Sequence, residues 1–120
     1  MQAHANFGGF LSDRRRAREI SSLQMSELAG ISPGYYCDIE KGRKSAPDRE
    51  ILEKILTALR LPQDEEVVFY DLAGKSRSEV PPDLPDYIIS NEVVRVALRI
   101  AREKGSADDW RQFIEGLEGR

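Results

Sequence analysis

Apolar residues recur along this chain at helical spacing, and no stretch alternates with the period of a strand. Asn6 is suited to cap a helix that begins with Phe7, Phe10 and Leu11 and continues into Arg14, Arg15, Arg16 and Arg18. A second, short helix is predicted from about Ser22 to Ala29, with Ser21 as its cap and Met25 and Leu28 as its apolar anchors. Gly30 breaks it, because glycine enters a left-handed conformation without penalty. Ser32-Pro33 opens a third helix, serine as cap and proline at the first helical position. Tyr36 and Ile39, three apart, share its inward face, and Gly42 ends it. Pro47-Asp48 opens a fourth helix with a wide stripe of Ile51, Leu52, Ile55, Leu56 and Leu59. A fifth is expected from Gln63 to about Ala73, closed by Gly74, with Asp64, Glu65 and Glu66 placed to favour its N-terminus.

The character changes over residues 75–86. Lys75, Ser76, Arg77 and Ser78 are polar, and Pro81, Pro82 and Pro85 resist regular helix, so this segment reads as a linker. A short helical turn is expected around Leu84–Ser90. Val93, Val96, Ala97 and Ile100 then mark a helix to about Lys104, ended by Gly105. Ser106 and Asp109 resemble a capping box with Asp at the usual Glu position. Behind it Trp110, Phe113, Ile114 and Leu117 fall on one face. The expected architecture is all-α: residues 1–74 as one domain, 75–86 as linker and 87–120 as a helical C-terminal extension.

The 120 residues carry a net charge of −3, which taken alone argues against a polyanion-binding protein. The distribution changes that picture. Residues 1–60 hold ten Lys and Arg against eight Asp and Glu, whereas residues 61–120 hold eight against thirteen. Within the first half the cations cluster at residues 14–18 and at Lys41, Arg43 and Lys44. A local basic face can hold phosphate although the rest is acidic, because charges further apart than about 10 Å are screened at moderate salt.

A short helix, a three-residue turn at Gly30-Ile31-Ser32 and a second short helix have the layout of a helix-turn-helix. Such a unit presents its second helix to the DNA major groove, which is wide enough to admit one. The residues Ile20-Ser21, Met25-Ser26, Gly30-Ile31-Ser32, Tyr36, Ile39-Glu40-Lys41-Gly42-Arg43-Lys44 and Pro47 resemble the Cro/C1-type helix-turn-helix domain of phage repressors and related bacterial regulators. The resemblance covers about residues 6–61. It implies a five-helix DNA-binding domain in which Arg15 pairs with Glu40, tying the first helix to the recognition helix and turning the arginine towards phosphate. It implies DNA contacts from Ser22, Gln24, Ser32, Lys41, Arg43, Lys44 and Ser45, the cations touching backbone phosphates. Ser22 stands where the family often has a longer, phosphate-contacting glutamine. The outward positions of the recognition helix match Pro33, Gly34, Tyr35, Cys37 and Asp38 here. Pro33 and Gly34 bring no side-chain hydrogen-bonding group, so direct readout rests on Tyr35, Asp38 and Lys41. Asp38 either accepts from a cytosine amino group or faces solvent and repels phosphate. Tyr35 either touches a thymine methyl or phosphate or packs locally.

The expected function is sequence-specific DNA binding for transcriptional control, most naturally repression, by a cytoplasmic homodimer on an inverted repeat. Half-sites would be about 34 Å apart or a multiple of that distance. Two alternatives remain open: an antitoxin or anti-repressor type of regulator that binds another protein through residues 81–120, and an adaptor that has lost DNA binding. The stripe of Trp110, Phe113, Ile114 and Leu117 fits a core contact, a dimer interface or a partner site. Cys37 reads as a tolerated small residue, with a redox switch as the rival, and one thiol makes no internal disulfide. His4 stands without Cys or His companions. No metal, cofactor or catalytic constellation is indicated, and no apolar run approaches the roughly 18 residues a membrane helix needs. Met1 to Asn6 lacks the pattern of a secretory signal.

Overall fold

The structure is a computed structural model and describes residues 6–120; His4 and the segment before Asn6 lie outside the described residues. The described residues form eight helices and no strand, the all-α architecture expected. None of these helices is long and apolar enough to cross a membrane. The chain divides into two compact units, Met1–Asp83 and Leu84–Arg120.

The first unit holds α1 (Phe7–Ala17), α2 (Ser22–Ala29), α3 (Pro33–Glu40), α4 (Arg49–Leu59) and α5 (Gln63–Arg77). Short polar side chains start most of them by accepting from otherwise unpaired N–H groups. Asn6 accepts from the Gly9 amide at 2.8 Å, Ser32 from Tyr35 at 3.1 Å and Asp48 from Ile51 at 3.2 Å. Ser21 and Gln24 satisfy each other's amides at 3.0 and 2.8 Å, a full capping box. Gly30 ends α2 in the left-handed region, at φ 74°.

Helix α2 packs on α3 and α4, and α1 on α3 and α5. Between them Phe7, Phe10, Leu11, Met25, Tyr36, Ile39, Leu52, Ile55, Leu59 and Phe69 form one buried core. Each large apolar side chain buried this way contributes about 1.5–3 kcal/mol. The Phe7 and Phe69 rings meet edge-on at 5.3 Å and fasten α5 across α1.

Two local expectations are corrected. Leu28 is 55% exposed rather than an anchor of α2; the inward face is set by Met25 and Ala29, four residues apart, with Ser26 between them, and Leu28 falls on its flank. Gly74 does not close α5, which runs on to Arg77. Gly74 is buried under the returning chain: a Cβ there would come within 2.8 Å of the Glu79 carbonyl oxygen and the Pro81 nitrogen. The glycine therefore serves close approach rather than termination, and Lys75, Ser76 and Arg77 belong to the helix instead of the linker.

The second unit holds α6 (Pro85–Ser90), α7 (Glu92–Lys104) and α8 (Ala107–Glu118). Arg95 on α7 donates to the Ile88 carbonyl at 3.0 Å and to the Ile89 carbonyl, closing the end of α6. Ser106 and Asp109 make the capping box of α8, the Asp109 carboxylate accepting from the Ser106 amide at 2.9 Å. No residue of these three helices is buried.

Candidate nucleic-acid interface

Helix α3 is anchored by its inner face and by its last turn. Tyr36 and Ile39 are fully buried. One turn on, Glu40 receives Arg15 as a fork: Nε donates to Oε2 at 2.6 Å and Nη2 to Oε1 at 3.0 Å. Arg15 Nη1 donates to the Ile20 carbonyl at 2.9 Å, so one guanidinium joins α1, the start of the α2 segment and the end of α3. The Tyr36 hydroxyl donates to Glu40 Oε2 as well. Glu40 holds the Arg15 guanidinium above its usual pKa by hydrogen bonding, against the opposing effect of burial. The Tyr36 phenol is pushed far above its usual value by burial first and by the Glu40 carboxylate second. Close packing completes the joint. A Cβ on Gly8 would stand 2.3 Å from the Glu40 carbonyl oxygen and 2.6 Å from that of Ile39, so only glycine lets α1 lie against this turn.

Arg15 is only 8% exposed, and its fork is committed inside the protein. The geometry makes it a tether between helices. The arginine run around it is dispersed in the same way. Arg14 pairs with Glu65 at 2.7 Å and lies over the Phe10 ring, 4.7 Å from its centroid. Arg18 donates to the Leu59 and Arg60 carbonyls, each at 2.7 Å, and so caps the end of α4. The cluster at residues 14–18 is mainly structural, with Arg16 left exposed on the outer side of α1.

The second basic cluster behaves otherwise. Lys41, Arg43, Lys44 and Ser45 are all exposed, on the loop leaving α3. Asp38 organises that loop: its carbonyl accepts the amides of Arg43 at 2.8 Å and Lys44 at 3.2 Å, and its carboxylate pairs with Arg43 Nη1 at 3.2 Å. The far end of the loop is clamped by α5. The Ala46 amide donates to Ser76 Oγ at 2.8 Å, and Arg77 Nη1 donates to the Ala46 carbonyl at 3.0 Å. Sequence reasoning missed Ser76 and Arg77, because a contact across 30 residues leaves no local pattern. Lys44, Ser45, Lys75 and Ser76 are among the residues that line a cleft of about 340 Å³ beside the loop.

Along the outward side of α3, Ser32, Pro33 and Gly34 are exposed, while Tyr35, Cys37 and Asp38 are half-buried. Tyr35 packs against the core while remaining partly exposed. Ser22 is half-buried at the first turn of α2, and the Gln24 side chain is engaged in the capping box. Among the described residues no three His, Cys, Asp or Glu side chains gather where they could hold a metal ion.

This arrangement has relatives. A sequence profile described as a helix-turn-helix domain matches residues 6–68, just over half of the chain. The chain belongs to the Cro/C1-type helix-turn-helix family. It is 28% identical over 87 residues to an uncharacterised HTH-type transcriptional regulator of Mycobacterium tuberculosis, covering 72% of this chain and 59% of that protein. It is 44% identical over 55 residues to the transcriptional regulator ClgR of the same organism, covering 46% of this chain and 44% of that one. The chain thus spans about three fifths of the first relative and under half of the second. A structural alignment with a SinR protein/SinI protein complex covers 95% of this chain and 96% of the matched chain, at 20% identity and a TM-score of 0.47. At the first turn of α3, Pro33 and Gly34 are exposed and bring no side-chain hydrogen-bonding group.

Proposed function

We propose that this chain is a transcriptional regulator that binds duplex DNA in a sequence-specific manner, acting as a homodimer on an inverted repeat and most naturally as a repressor. The observation that carries the reading is the exposed basic loop Lys41–Ser45, fixed at the end of a helix that Arg15 and Glu40 lock to the core. Its cations would neutralise phosphates, while α3 would enter the major groove. Asp38 would then act chiefly by aiming Arg43, and base contacts would come from few side chains, with Ser22, Ser32 and Gln24 at the backbone. In this reading α1–α5, through Arg77, carry DNA binding, the segment after Arg77 connects, and residues 87–120 serve dimerisation. One recognition helix of eight residues reads too few base pairs alone, which is why a two-fold site is expected. Fluorescence anisotropy of the whole chain with random and genomic duplexes tests the proposal. Binding at low salt supports it, and no binding even there would leave the adaptor reading in its place.

The unburied helices of the second unit favour one other reading: a regulator that captures a different protein through residues 81–120 and binds DNA only to control its own expression. A second protein co-purifying in equal amount, together with loss of the homodimer, would favour it.

A further inference from the structure

We infer that α7 and α8 build a reciprocal two-fold interface, in which α8 of one copy of the chain packs on α7 of a second copy. This rests on the homodimer proposed above and names the surface that forms it. Helix α7 packs against α6 but not appreciably against α8, and the extended backbone at Gly105 separates the two helices. Each therefore keeps an apolar stripe that its own unit leaves open. On α7 the stripe is Val93, Val96, Ala97 and Ile100, and on α8 it is Trp110, Phe113, Ile114 and Leu117. Val93 is 80% exposed and Phe113 57%. Both stripes follow the same i, i+3, i+4, i+7 spacing, so they match in length and register along a helix pair.

The helices also match in charge. Helix α7 carries Arg95, Arg99, Arg102 and Lys104 against Glu92 and Glu103, whereas α8 carries Asp108, Asp109, Glu115 and Glu118 against Arg111. Pairing α7 with α7, or α8 with α8, brings like signs together; pairing α7 with α8 brings opposite signs together. The intramolecular version of that pair is not made, so a second copy supplies it, and two-fold symmetry buries both stripes twice. A unit this small without a buried residue also belongs to the size class that depends on association for its stability.

Trp110 is the single tryptophan and reports on the surface directly. The test is light scattering of the full chain with Trp110 emission recorded through a dilution series. Twice the chain mass is expected at micromolar concentration, with emission moving to longer wavelength as dilution releases the dimer. Ile100→Asp and Phe113→Asp should each weaken the dimer by about a hundredfold or more, since each buries a carboxylate in an apolar surface. Ile100→Asp, although on the other helix, should shift Trp110 emission as dilution does. Hydrogen exchange in α1–α5 should be unchanged in both variants, which separates loss of the interface from loss of the fold. A dimer that survives both variants overturns the interface and leaves the homodimer reading standing. A dimer broken by Phe113→Asp alone means α8 meets α8 and overturns the reciprocal packing. A monomer at every concentration, with constant emission, overturns both.

Discussion

The two units of this chain are built from the same material, amphipathic helices with polar caps, and they put it to opposite use. In Met1–Asp83, five helices close around ten large buried apolar side chains. In Leu84–Arg120, three helices bury none, although α7 and α8 carry clean apolar stripes. A stripe at helical spacing is therefore a statement about a helix and not about what covers it. What distinguishes the units is the presence of long-range joints: Arg15 to Glu40, Arg18 to the end of α4, Phe7 to Phe69. In the second unit a joint such as that of Arg95 closes the helix immediately before its own.

Truncating one aromatic in each unit puts this contrast under the greatest stress. Phe69→Ala should cost about 3–5 kcal/mol of stability in urea unfolding, because it opens a cavity in the core. Phe113→Ala should leave hydrogen exchange of α1–α5 within about 0.5 kcal/mol of the parent. Equal effects from the two would mean that the units share one core.

Glu40→Ala should cost about 3 kcal/mol, since it strands the Arg15 guanidinium and the Tyr36 hydroxyl in a largely buried position. Denaturant midpoints measure it, and Glu40→Gln, which keeps one acceptor oxygen, should recover part of the stability. Gly8→Ala should cost about 2 kcal/mol, because the atoms its Cβ meets are backbone and cannot move aside. A neutral result would show that α1 shifts without consequence for α3.

The smallest effect is silent at neutral pH. Tyr36 is held above its unfolded pKa, so its contribution is fully present below about pH 10 and is lost as pH rises above that value. Unfolding at a series of alkaline pH values should show this decline. Tyr36→Phe should flatten it, while Tyr70, whose phenol is raised by burial and by Glu53, keeps its own contribution.

Much of the fold was legible because its signals are local. Ser21, Ser32 and Asp48 announce helix starts, Gly30 a stop, and Tyr36 with Ile39 an inward face. Most of the failures come from packing that the pattern within a single helix does not announce. Gly74 resembles a helix stop until the returning chain at Pro81 is seen above it. The arginine run resembles a phosphate-binding face until Arg14 finds Glu65 and Arg18 finds the end of α4. Ser76 and Arg77 resemble linker until they grip Ala46. The site divides along the same line: the resemblance names Arg15 and Glu40 together, whereas the outward chemistry of α3 has no such guide at Pro33 and Gly34.

If DNA is engaged by the exposed cations after α3, and not by the arginines of α1, the salt dependence of binding must change when those cations are removed. The affinity of the full chain for a random duplex is measured across salt concentration, for the parent and for a variant with Arg43→Ala and Lys44→Ala together. A steep logarithmic fall is expected for the parent. In the variant the slope should be shallower by about two, roughly one for each phosphate that is no longer neutralised. An unchanged slope in the variant would contradict this assignment of the DNA-binding cations.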